Sequence, residues 1–191
     1  MGRPPRHDRD RLLDAALDLA AESGPAGVTV AAVARAAGAP SGSVYHRYPS
    51  AAALLAAVWL RTVERFQDGF LAAMCANVAE DAVGAAARHV VAWSRAHPRE
   101  ARLLLYGPTD FGERDWPASE VDRLTADNQR LRDALTALAT RLGCPDDLER
   151  VALAVVDVPY GLVGRHLRAG TDIPASAEAL VAQAALTLLS A

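Results

Sequence analysis

The chain has 191 residues, 51% of them hydrophobic, with 20 basic residues against 23 acidic and a net charge of −3. That length allows one or two domains with a real core, and the apolar content excludes wholesale disorder. A slightly acidic balance excludes a bulk polycation, the polar opening Met1 to Arg11 excludes a signal peptide, and no apolar run reaches membrane-spanning length. The expected compartment is the cytoplasm, with no membrane partner.

Alanine, leucine and arginine dominate, and strand formers do not alternate with period 2, so an all-α fold is expected. Every basic residue is arginine, and the charge is uneven: residues 1–65 hold 8 Arg against 6 acids, the remainder 12 against 17. A mildly basic end on an acidic body suits contact with nucleic acid at one end only. Cys75 and Cys144 stand alone, without C-x-x-C or histidine at ligand spacing, so no disulfide framework, metal or cofactor is expected.

Met1 to His7 reads as a proline-containing arm in which Arg3 and Arg6 are placed to reach phosphates or a minor groove. Asp8 to Ser23 predicts a first helix with Leu12, Leu13, Ala16, Leu17 and Ala20 as its apolar stripe, ended by Gly24-Pro25. The next stretch, Val28 to Leu54, carries the most information. Val30, Val33 and Ala34 give one helix face, and Ala37-Gly38 ends it in a turn that only glycine enters without steric cost. A second short helix starts at Pro40 or Ser41, with Val44 inward and Ser43, Tyr45, His46 and Arg47 outward. The small residues Ala34, Gly38 and Gly42 are expected to let the two backbones approach closely. Helix, glycine turn and a short helix with polar and aromatic outer residues form a helix-turn-helix pattern, whose second helix enters the DNA major groove. There Ser43 can bond a base edge, Arg47 can fork onto guanine or phosphate, and Tyr45 and His46 offer rings with polar tips.

The rest reads as helices separated by turn chemistry: Ala51 to Asn77, Glu80 to Ala96, Arg99 to Tyr106, Ser119 to Leu142, Asp146 to Ala169 and Pro174 to Ser190. Thr109 to Pro117 is an irregular, aromatic-bearing loop. In Ser119 to Leu142 the residues Val121, Leu124, Asn128, Leu131, Leu135, Leu138 and Leu142 form a seam, with Asn128 as its polar interruption. Pro159, inside the penultimate helix, is expected to kink it. Polar or aromatic residues that interrupt apolar faces are the candidates for a ligand pocket: His89, Trp93, Tyr106, Phe111, Trp116, Asn128, Asp157 and Tyr160.

The stretch from Arg11 to Leu55 resembles the N-terminal domain of the TetR family. The matching residues are Thr29, Val33, Ala34, Ala37, Gly38, Gly42, Ser43, Val44, Tyr45, Tyr48, Ser50 and Leu54, in register without a gap. Two departures remove positive charge: the family's usual lysine is Ala51, and the Ser-Lys pair opening its recognition helix is Pro40-Ser41. The resemblance implies an N-terminal three-helix helix-turn-helix domain (residues 1–50) and a C-terminal helical ligand-binding and dimerisation domain (residues 51–191). Taken with the residue chemistry above, the expected DNA interface is Thr29, Ser41, Gly42, Ser43, Tyr45, His46, Arg47 and Tyr48, supplemented by Arg3 and Arg6. The resemblance also implies a homodimer paired through its last two long helices, where Gly161, Gly164, Leu180, Ala184 and Leu188 are the candidate interface residues.

The expected function is a ligand-responsive transcriptional regulator that holds a palindromic double-stranded operator as a homodimer and is released by a small apolar or amphipathic effector. Two other readings are open. One is a helical interaction module that has lost specific DNA binding. The other is a helical enzyme using the C-terminal cavity, for which His89, Asp157, His166 and Cys144 are the available reactive types; no spacing joins them into a catalytic set, so no catalytic residue is named.

Overall fold

A computed structural model describes residues 6–75 and 78–190. Arg3 lies outside these residues, and so does the side chain of Arg6. All regular structure among the described residues is helical: α1 (Arg6–Ser23), α2 (Val30–Ala36), α3 (Ser41–Arg47), α4 (Ala51–Met74), α5 (Ala79–Ala96), α6 (Pro98–Leu103), α7 (Ala118–Arg141), α8 (Leu148–Ala152), α9 (Val158–Ala169) and α10 (Ala177–Leu189). Among the described residues, no helix is long and apolar enough to cross a membrane. The chain packs as two compact units, Met1–Val63 with Arg102–Thr125, and Glu64–Ala101 with Ala126–Ala191.

In the first unit, α1 begins at Arg6 rather than at Asp8, directly after the Pro4-Pro5 pair. Its stripe of Leu12, Leu13, Ala16, Leu17 and Ala20 is buried throughout. Thr29 caps α2, its Oγ1 accepting from Ala32 N at 3.1 Å. Gly38 ends the helix at φ 60°, and the Ala39 N–H donates to Ala34 O at 2.9 Å, which satisfies a carbonyl the helix leaves open. The core of α1 to α3 continues into the first half of α4 through Leu54, Val58 and Trp59, and takes in Leu103, Phe111, Trp116 and Leu124. Phe111 and Trp116 of the aromatic loop are therefore core residues, while Thr109, Asp110, Arg114 and Asp115 of the same loop are exposed. Trp59 and Trp116 stack obliquely with ring centres 5.8 Å apart, and their indole N–H groups donate to Tyr106 O at 3.2 Å and Phe111 O at 2.8 Å.

The second unit has its own core, built on Phe70, Met74, Val83, Val90, Leu138, Val155 and Val181 among others. Arg95 on α5 ties down the entry to α10, donating to Ile173 O at 3.3 Å and Pro174 O at 2.8 Å and pairing with Glu178. The expected single helix from Asp146 divides. It starts at Leu148, because Asp147 serves as the cap and accepts from Arg150 N at 3.2 Å. Ahead of Pro159, the stretch Leu153–Asp157 widens to a π-helix in which the Val158 N–H donates to Leu153 O. Proline offers no N–H and its ring crowds the carbonyl four residues earlier, and one wider turn accommodates both. The last helix begins at Ala177, three residues after Pro174, and α9 ends on Gly170 at φ 67°.

Candidate nucleic-acid interface

α3 is a seven-residue helix held by one side. Val44 is fully buried, and the Tyr48 N–H closes the last turn onto Val44 O at 2.8 Å. With Val44 anchored, the residues that flank it in sequence point outward. Tyr45 is 55% exposed, and Ser41, Gly42 and His46 are exposed, while Ser43 and Arg47 are half-buried. Thr29 is exposed at the start of α2. The structure thus places Thr29, Ser41, Gly42, Ser43, Tyr45, His46 and Arg47 together on the α2–α3 segment, with Thr29, Ser41, Tyr45 and His46 exposed.

Two of the expectations for this segment change. Tyr48 faces the core, only 5% exposed, and not the groove. Its ring occupies the corner where α3 ends and α4 begins, a position that favours an aromatic for its volume. Burial raises the pKa of its phenol, against the opposing fields of Arg9, Arg61 and Arg47. Gly42 is not a packing glycine, since a Cβ there would meet nothing within 4 Å. Its lack of a side chain instead leaves the first turn of α3 bare. Pro40 precedes that turn in an extended conformation, and no side chain caps it.

The candidate ligand residues fall into three groups. His89 and Trp93 lie together on α5 in the second unit, beside Phe66 and Phe70, with ring-centre distances of 5.5 Å for Phe66–His89 and 5.2 Å for Phe66–Trp93. Burial lowers the pKa of His89, partly offset by its bond to the Phe66 carbonyl and reinforced by the His97 charge. Tyr106, Phe111 and Trp116 belong to the first unit, the last two as core. Asn128, Asp157 and Tyr160 are exposed on the second unit, and burial raises the pKa of the Tyr160 phenol.

Asn128 is a correction to the seam. The seam passes through Asp127 instead, 6% exposed, because Leu124, Asp127, Leu131 and Leu135 follow the helical period and Asn128 falls one step outside it. The sequence reading also missed Gln67, 5% exposed on α4, whose Oε1 has no hydrogen-bond partner. It sits between Phe66 and Asp68, where no local pattern marks it as buried. Thr62 and Ser94, likewise buried, bond to carbonyls of their own helices at 2.9 and 2.7 Å. Among the described residues, no group of three His, Cys, Asp or Glu gathers to hold a metal ion.

Residues 12–58 match the family model described as bacterial regulatory proteins, tetR family. Over its whole length the chain is similar in fold to several solved structures. One is a TetR-like transcriptional regulator from Rhodococcus sp. RHA1, with TM-score 0.75 and 19% identity over 98% of this chain and 99% of that one. Another is a TetR family transcription regulator from Marinobacter aquaeolei VT8, with TM-score 0.75 and 17% identity over 95% and 94%. A third is the fatty acid degradation regulator FadR from Bacillus halodurans, with TM-score 0.71 and 17% identity over 95% and 97%. No curated protein matches the sequence.

Proposed function

We propose that this chain, whose residues 12–58 match the family model described as bacterial regulatory proteins, tetR family, and whose fold is similar to that of TetR-like regulators, is a homodimeric, ligand-responsive repressor that holds a palindromic operator. The observation that carries this reading is the division of labour on α3: Val44 is buried while Tyr45, His46 and Ser41 face solvent. A helix only seven residues long has no reason to expose an aromatic and an imidazole side by side unless another molecule covers them.

Under this reading residues 1–50 form the DNA-binding domain and residues 51–191 the effector and dimerisation domain. In the complex, α3 lies in the major groove, with Arg47 on guanine or phosphate, Ser43 on a base edge, and Thr29 adding a phosphate contact to its capping role. Arg3 and Arg6 extend the contact to flanking DNA. One such helix reads few bases, so specificity needs two, about 34–36 Å or a multiple apart. The dimer forms through α9 and α10. Leu180 is 58% exposed and Gly161 has open space around it, whereas Gly164 is buried within the chain itself. The effector is small and apolar or amphipathic, and the second unit supplies His89, Trp93 and the orphaned Gln67 carbonyl to hold it. It acts only through a difference in its affinity for DNA-competent and DNA-incompetent states.

The test is selection from a random duplex library by the purified chain, with Arg47→Ala as control. A palindrome recovered by the wild type and lost in the variant supports the reading. No enrichment at low salt, repeated after refolding to strip any bound effector, overturns it. That outcome favours a helical interaction module, for which Ala51, exposed where the family resemblance places a lysine, is the supporting observation.

A further inference from the structure

We propose that Arg9 of α1 is a DNA backbone-phosphate contact that works together with Arg47 and supplies the positive charge missing at Ala51. This rests on the DNA-binding reading above and goes beyond it, because it places a contact outside the helix-turn-helix. Arg9 and Arg47 line one groove of the first unit, of about 430 Å³, together with Tyr48, Ala53, Ala57 and Glu120. Ala53 and Ala57 lie one turn apart on α4, and their single-carbon side chains leave the groove open.

The charges around this groove sort themselves. Arg61, the other cation felt at the Tyr48 phenol, is neutralised by Asp14 at 2.9 Å and also donates to Asp10 O at 3.4 Å. Glu120 is paired with Arg123. Arg9 is exposed, and no ion pair to it is found among the described residues. Its guanidinium approaches the Tyr48 hydroxyl without closing a well-formed hydrogen bond, and that hydroxyl is buried with no partner of good geometry. The groove therefore holds one forked donor without a counter-ion beside a polar atom with unmet bonding capacity. An oxyanion with several acceptors supplies the counter-ion that Arg9 lacks. The position fits a DNA phosphate. Arg47 is the last residue of the recognition helix, which lies in the major groove in helix-turn-helix complexes, so a guanidinium sharing its groove stands beside the flanking backbone.

The experiment titrates the full chain onto a labelled duplex bearing the selected operator, and onto a scrambled duplex, across about 50–200 mM salt. The proteins are wild type, Arg9→Gln, Arg9→Lys and Arg61→Gln, each also followed by thermal unfolding. The expected result is that Arg9→Gln weakens binding to both duplexes, lowers the slope of log K against log salt by about one, and leaves the unfolding temperature unchanged, while Arg9→Lys keeps the wild-type slope. A wild-type slope in Arg9→Gln overturns the proposal. So does lost affinity at constant slope with a lowered unfolding temperature, which assigns Arg9 to packing on Tyr48. If inorganic phosphate stabilises the free wild type but not Arg9→Gln while the DNA slopes agree, the groove belongs to a free anion and the backbone contact is overturned. A wild type that binds neither duplex at low salt fails the DNA-binding reading itself, an outcome distinct from all of these.

Discussion

Gly69 on α4 faces the ring of His89 on α5 so closely that a Cβ on the glycine would overlap Cε1 of the imidazole. The ring is fixed there. Its Nε2 lies 3.2 Å from Phe66 O, and because a carbonyl only accepts, Nε2 carries the proton and Nδ1 is left as the acceptor. Phe66 and Phe70 flank it with ring centres at 5.5 and 6.2 Å. The glycine thus stands in a helix interior, at a cost of about 1 kcal/mol relative to alanine, to make room for a histidine held on three sides.

This apposition predicts a reversal of sign. Gly69→Ala alone destabilises the chain by about 1–3 kcal/mol, since overpacking outweighs the helix-propensity gain. In a His89→Ala background the ring is gone and the same substitution becomes stabilising by up to about 1 kcal/mol. Denaturant unfolding of the four proteins of this double-mutant cycle checks it. A Gly69→Ala variant as stable as the wild type shows that α4 and α5 separate freely.

Because burial lowers the pKa of His89 below its ordinary value of 6.5, the folded chain disfavours the imidazolium that the unfolded chain accepts. Its contribution is fully present above about pH 6.5 and is lost as the pH falls below that value towards the folded pKa. His89→Gln keeps a donor for the Phe66 carbonyl and removes the titration. Its stability is expected to fall less between pH 7 and 5 than that of the wild type. Equal slopes in urea unfolding across that window place the pH dependence on other groups.

On α3, adjacent residues separate stability from function. Val44→Ala opens a cavity at a fully buried position and costs on the order of 2 kcal/mol, lowering the unfolding temperature. Tyr45→Ala, at a position 55% exposed, leaves unfolding within about 0.5 kcal/mol of wild type and weakens duplex binding at least fivefold. Calorimetry and anisotropy on the same preparations decide the matter. A Tyr45 variant with unchanged DNA affinity removes this side chain from the interface.

The legibility of the sequence varied with the range of the force that decides each feature. Thr29, Gly38, Asp147 and Gly170 act through their own backbone neighbourhood, and cap or end helices much as local chemistry dictates. The apolar stripe of α1 and the inward Val44 follow from period alone. What periodicity does not decide is a choice between neighbours of similar polarity. Asn128 and Asp127 differ by one helical step, and which of them turns inward depends on the orientation of α7, set by residues far away in the chain. The same holds for Phe111 and Trp116. Their place in an irregular, aromatic-bearing loop makes them pocket candidates, but both are buried in the core, Trp116 against the ring of Trp59 about fifty residues earlier.

Gln67 shows what such a distant decision costs. Its Oε1 is buried without a partner, and an unmet acceptor in that setting destabilises by about 1–3 kcal/mol. Gln67→Met keeps the length and removes the polar atoms, so the free chain is expected to gain about 1 kcal/mol or more. If the carbonyl is kept for an effector, the same variant binds that effector at least fivefold more weakly. A less stable Gln67→Met chain shows that the amide has a structural partner in solution.

Leu180 presents the opposite imbalance, an apolar side chain 58% exposed on a helix whose neighbouring positions Ala184 and Leu188 are half-buried. Leu153 and Tyr160, 42% and 37% exposed, add to the apolar surface of the same unit. A single exposed leucine is ordinary, but several on neighbouring helices of one unit call for a cover. In a two-fold dimer each residue is used twice, so Leu180→Glu places two carboxylates in one interface and penalises it doubly. The variant is expected to fold normally and to sediment as a monomer at micromolar concentration, where the wild type sediments as a dimer. It should also bind a palindromic duplex no more tightly than a half-site, because the two recognition helices are no longer linked. If Leu180→Glu stays dimeric, the partner surface lies elsewhere and Leu180 faces solvent in the assembly. If the wild type is itself a monomer that still prefers the palindrome, pairing occurs on DNA, and the preference should then vanish in the variant.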